Sequence, residues 1–145
     1  MLFGQDRDQL RRFYCEVWRK HQTDEALEPL EIMVRDVIAD HPEYHRVITD
    51  SERALGREYL PETGETNPFL HMGMHIAIQE QLGADRPAGI RALYQRLLAR
   101  TGDAHATEHR IMDCLGEMIW QAQRAGTPPD EAAYLGCLRR LADGA

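Results

Sequence analysis

Six of the seven histidines fall into three pairs at a spacing of four residues: His41 with His45, His71 with His75, and His105 with His109. Seven histidines scattered at random along such a chain would give only ~0.3 pairs of this kind. On a helix, this spacing sets two imidazoles on one face, one turn apart. Two neutral imidazoles so placed can chelate a transition metal, as helical zinc motifs do. The last pair continues into Asp113 and Glu117, a row of four possible ligands at steps of four, and a second row offers His71, His75 and Gln79. Two such rows facing each other would resemble the interior metal sites of helical bundles. His71, His75, His105 and His109 are therefore the primary candidate ligands, with Asp113 and Glu117 as further ligands or as partners of bound imidazoles. A nitrogen-rich set favours zinc, iron, nickel or copper over magnesium or calcium. An open coordination position would allow a bound water to be activated for hydrolytic or oxidative chemistry, but the sequence selects no reaction.

The competing reading needs no metal. Buried imidazoles often donate to a carbonyl and accept from a hydroxyl, and Tyr44, Tyr94 and Trp120 are at hand as partners. His41 precedes Pro42 and can simply close a helix end. On this reading the histidines hold a core together, and the surface of a protein-interaction or structural module carries the function. Other chemistries are poorly represented. There is no HExxH, no phosphate loop and no glycine-rich dinucleotide fingerprint. Cys114 lies five residues after His109, about 140° round an ideal helix, so the two are not poised as a nucleophile and its base. Ser51, the only serine, reads as a helix cap before Glu52 and Arg53. Met72, Met74, Met112 and Met118 read as core filling.

The elements that must position these side chains are helices. Leu10, Phe13, Tyr14, Val17 and Trp18 follow the i, i+3, i+4, i+7, i+8 template, as do Leu30, Met33, Val34, Val37 and Ile38, and Ile90, Leu93, Tyr94, Leu97 and Leu98. Tyr134, Cys137, Leu138 and Leu141 mark the last helix. Asp6 with Gln9 reads as a capping pair, Pro29 as a first helical residue, Asn67-Pro68 as a cap with a first-turn proline, and Asp103 and Asp130 as caps. Gly83, Gly102 and Gly126 each follow a helical run and suit left-handed C-terminal positions. The segment from Pro68 to Leu82 begins apolar on every face, which predicts a central helix; Ala104 to Ala125 carries two apolar stripes, which predicts a helix buried on two faces. The stretch Leu60 to Thr66 reads as a loop between a front and a rear block of helices. The expected fold is all-α, a single-domain bundle of about six to seven helices over residues 1–145.

Charge and composition narrow the partners. The chain has 145 residues and a formal net charge of −7, with a sequence pI near 5.4. It has no general attraction to nucleic acid or to anionic lipid. Arg91, Arg96 and Arg100, like Glu25, Glu28 and Glu31, read as solvated helix faces. No stretch is apolar enough to span a bilayer, and the first residues lack the apolar core of a signal peptide. Cys15, Cys114 and Cys137 are odd in number and widely spaced, which fits reduced thiols in a core and a cytoplasmic protein. A protein partner or a homo-oligomer is compatible with all of this.

The segments His41-Pro42-Glu43-Tyr44-His45, Asn67-Pro68-Phe69-Leu70-His71-Met72-Gly73-Met74-His75 and Glu108-His109-Arg110-Ile111-Met112 resemble a bacterial family of small proteins, domain of unknown function 1841. Asp85 to Ile90 and the Tyr134-Leu135 region resemble it as well, so that the likeness covers nearly the whole chain. The resemblance implies a bacterial single-domain protein and adds no catalytic residue.

Overall fold

A computed structural model describes residues 7–57, 59 and 67–144. Six helices of 11 to 22 residues carry the fold: α1 (Arg7–Gln22), α2 (Pro29–Ala39), α5 (Pro68–Ala84), α6 (Ile90–Thr101), α7 (Ala104–Ala125) and α8 (Glu131–Ala142). Two short helices, α3 (His45–Thr49) and α4 (Ser51–Gly56), follow a 3-10 turn at Pro42–Tyr44. No strand occurs among the described residues, so the fold is all-α. The expected loop from Leu60 to Thr66 and the Asp6 cap lie outside the described residues.

The chain forms two compact units, residues 1–76 and 77–145. The division falls inside α5, not at the loop that seemed to part front from rear. The reason is packing: Phe69, Met72 and Ile76, on the first half of α5, are buried in the core of the first unit. There they join Tyr14, Val17 and Trp18 of α1, Val34, Val37 and Ile38 of α2, Ile48 and Ala54. Arg11 is buried beside this core. Its Nη1 donates to the carbonyls of Ala54 (2.7 Å) and Arg57 (2.6 Å), and its guanidinium lies over the Phe69 ring at 4.9 Å. A buried cation is tolerated here because it is hydrogen-bonded.

In the second unit α6, α7 and α8 pack pairwise. Their buried stripes are Ile90, Leu93 and Leu97; Ile111, Cys114 and Leu115; and Tyr134, Leu138 and Ala142. The Tyr134 hydroxyl donates to Gln81 Oε1 at 2.7 Å, which satisfies a phenol that would otherwise be buried unpaired. On α7, Ile111 and Leu115 of one expected stripe are buried; of the other, Met112 is buried, His105 half-buried and His109 exposed, so that face is only partly covered.

Most punctuation marks act as read. Asn67 Oδ1 accepts from the amides of Phe69 and Leu70, Asp103 Oδ2 from Ala106 and Asp130 Oδ1 from Ala133. Gly102 (φ 75°) and Gly126 (φ 65°) are left-handed C-caps. Gly83 is not a cap. Helix α5 runs on to Ala84, and the left-handed residue is Asp85 (φ 51°), whose carboxylate accepts from the Arg91 amide. Glu31 is not part of a solvated face either: it is buried, bonds Lys20 Nζ at 2.9 Å and closes a capping box with Glu28. Replacing Asp103 or Asp130 with Ala should each cost about 1 kcal/mol, the usual worth of an N-cap. Urea melts of the two variants check this, and an unchanged midpoint would remove the caps from the list of stabilising features.

The cysteines depart furthest from expectation. Cys114 on α7 and Cys137 on α8 form a disulfide, with their Cα atoms 5.9 Å apart, and only Cys15 is a free thiol. Packing of α7 against α8 brings the two backbones into bonding range, which an odd count and a wide spacing cannot reveal. The cysteines therefore no longer argue for a reducing compartment. No helix among the described residues is long and apolar enough to cross a membrane.

Candidate metal centre

The sequence places His41 and His45 one helical turn apart, but the backbone sends them to different surroundings. Pro42 disfavours an α conformation at the residue before it, and His41 sits at φ −124°, ψ 66°. Its ring turns back on α2, where Nδ1 donates to the Val37 carbonyl at 2.7 Å. A carbonyl only accepts, so Nδ1 carries the proton and Nε2 keeps the lone pair. His45 instead donates from Nε2 to the Ile38 carbonyl (2.7 Å) and lies against Trp18, ring centroids 4.5 Å apart. His21 covers the same indole at 4.9 Å. His45 and His21 thus serve the hydrophobic core of the first unit.

His41 belongs to a second group. Its ring is stacked on Tyr44 (5.4 Å, 6° between planes) and lies 5.1 Å from His71 and 4.9 Å from His75. His71 and His75, one turn apart on α5, have centroids 5.1 Å apart. His41 and His75 are both buried, whereas His71 is half-buried and also meets Tyr44 edge-on at 6.0 Å. One ring nitrogen of His41 lies within 4.8 Å of one of His75. Burial, helped by the charge of Glu43, raises the Tyr44 phenol above its ordinary pKa, so it stays a neutral hydroxyl beside the imidazoles.

In the second unit His105 and His109 meet on α7 with centroids 4.3 Å apart and planes at 64°. Each offers a ring nitrogen within 4.8 Å of the other's. His105 is half-buried and His109 exposed. Between them in sequence, Glu108 Oε1 accepts from Gln79 Nε2 at 3.3 Å. Asp113 and Glu117, further along the row, are both exposed, and Glu117 Oε1 accepts from Gln121. Neither carboxylate belongs to the group of histidine nitrogens that could hold an ion. Trp120 lies under the Arg124 guanidinium at 5.1 Å.

Each of the two candidate pairs on α5 and α7 is thus assembled locally, and the first acquires a member from outside its helix. The sequence pairs His41 with His45, or reads it as a helix-closing residue, and does not bring it to His75. The signal that marks it otherwise is the His41-Pro42 dipeptide, since the proline turns the ring away from His45 and the Val37 carbonyl fixes its tautomer. Such a bond on the far nitrogen is a usual companion of metal-ligating histidines.

Fold and site define a small all-helical protein with imidazoles gathered in two places. Residues 6–140 match the model of the domain of unknown function DUF1841, and the chain belongs to that family. No curated protein and no solved structure matches it.

Proposed function

We propose that the protein binds transition-metal ions through two imidazole pairs, His41 with His75 in the first unit and His105 with His109 in the second. The observation that carries this reading is the pairing of ring nitrogens, His41 with His75 and His105 with His109, with His41 Nε2 left as the lone-pair nitrogen by the bond at Nδ1. Each pair fills half of a tetrahedral shell. Neutral nitrogen ligands suit zinc, copper, nickel or iron(II) and serve magnesium and calcium poorly. His71, one turn from His75 on α5, lies against the rings of both His41 and His75. Asp113 and Glu117 are exposed and lie outside this group of nitrogens.

The second reading is a metal-free module held by a histidine network. The bonds of His41 to Val37 and of His45 to Ile38 favour it, because both histidines already cap the last carbonyls of α2. Elemental analysis of tag-free protein, followed by metal titration, separates the two. His75→Gln should abolish binding at the first pair and His109→Gln binding at the second. No bound ion would leave the network reading.

A further inference from the structure

We propose that the Cys114–Cys137 disulfide is a thiol-exchange site for a low-molecular-weight thiol that carries an amino acid's ammonium and carboxylate. The site is independent of the histidines. Both cysteines line a surface cavity of about 410 Å³ in the second unit, within the range of small-ligand sites (about 300–1,000 Å³). The bond is presented unevenly. Cys114 is 2% exposed on the inner face of α7, while Cys137 on α8 is half-buried. Access decides which sulfur of a disulfide is attacked, so Cys137 is the one a thiolate reaches.

The charges on the wall specify the incoming molecule. Arg140, one turn beyond Cys137, is exposed and forms no ion pair among the described residues. Glu117 and Asp130 are the acids of the lining. Asp130 is engaged in capping α8, and Glu117 accepts a single bond from Gln121, which leaves it acceptor capacity. A cation and an accessible carboxylate beside a disulfide suit a zwitterionic thiol, with its carboxylate on Arg140 and its ammonium on Glu117. A purely anionic or neutral thiol would use only one of these groups or neither.

The exchange balances without another reactant. The incoming thiol loses its proton, and its sulfur bonds Cys137 Sγ. The Cys137–Cys114 bond breaks, and its electron pair leaves on Cys114 Sγ, which takes up a proton. The incoming sulfur is oxidised to the disulfide level, and Cys114 is reduced to a thiol. A second molecule of the same thiol then displaces Cys137 and leaves as the symmetrical disulfide.

The test uses the full chain, purified under air, in a Cys15→Ser background. It is treated with reduced glutathione or with 2-mercaptoethanol, quenched by alkylation and mapped by peptide mass spectrometry. The first adduct should be on Cys137. Arg140→Gln should slow the glutathione reaction about threefold to fivefold, the scale of an exposed ion pair, and leave the 2-mercaptoethanol rate unchanged. Arg139→Gln, on the same turn but outside the cavity, should change neither rate. Adducts on Cys114, equal slowing with both thiols, equal effects of the two arginine variants, or free thiols at both positions in the starting protein would each overturn the proposal.

Discussion

Zinc, or whichever of copper, nickel and iron(II) the site prefers, should raise the stability of the wild-type chain by about 4 kcal/mol at a thousandfold excess over its dissociation constant. For a chain of this length that is a rise of about 10 °C in melting temperature. The effect is linkage: an ion that binds only the folded state lowers the free energy of that state and leaves the unfolded one unchanged. The informative variants are those that keep the hydrogen bonds and lose the ligand. His41→Asn can still aim an amide N–H at the Val37 carbonyl, where Nδ1 donates now, but offers no imidazole Nε2. His75→Gln and His109→Gln likewise keep polarity without a good ligand. All three should melt near the wild type in chelator; with metal, the His41 and His75 variants should lose the rise due to the first pair and the His109 variant the rise due to the second. His45→Ala should do the opposite. It loses the bond to the Ile38 carbonyl and the contact with Trp18, so it should be destabilised by about 1–3 kcal/mol yet keep the full metal response. If no metal shifts the wild type and the His41, His75 and His109 variants melt early in chelator, the imidazoles are structural and the metal reading is wrong.

The difference between His41 and His45 also shows where sequence reasoning runs out. Periodicity located α1, α2, α6 and α8, because a 3.6-residue repeat of apolar side chains is a local property of the chain. Caps were legible for the same reason: Asn67, Asp103 and Asp130 bond amides only two or three residues away. Local spacing misled where a neighbouring element decides. Gly83 follows an apolar run, but the bonds of Arg91 to the carbonyls of Leu82 and Gly83 hold the end of α5 beyond it, and Asp85 takes the left-handed turn instead. Glu31 sits in an acidic run that looks solvated, until Lys20 of α1, eleven residues away, meets it. The pairing of His71 with His75 and of His105 with His109 was legible, since each is one helical turn. The arrival of His41 beside His75 was not, because it depends on where a proline-terminated helix end meets α5.

Breaking the Cys114–Cys137 bond should lower stability by about 3 kcal/mol, the chain-entropy estimate for a loop of this size. The bond closes a segment of 23 residues that contains the α7–α8 connection, so its loss mainly frees the unfolded chain. The folded side changes less. Cys114 is buried and a free thiol there behaves as a small apolar side chain; α7 and α8 still pack through Ile111, Leu115, Tyr134 and Leu138. Two consequences distinguish this from a packing defect. In urea, the reduced chain should have a lower midpoint and a steeper dependence on denaturant, because an unfolded chain without a cross-link exposes more surface. A Cys114→Ser/Cys137→Ser double variant should match the reduced wild type and ignore reductant. Cys15 offers the internal control. Burial and the charge of Asp50 raise its thiol pKa, which keeps its thiolate scarce and its exchange slow, so Cys15→Ser should respond to reductant as the wild type does. Equal urea midpoints for the wild type with and without reductant would show that the bond does not hold α8 to α7 in solution.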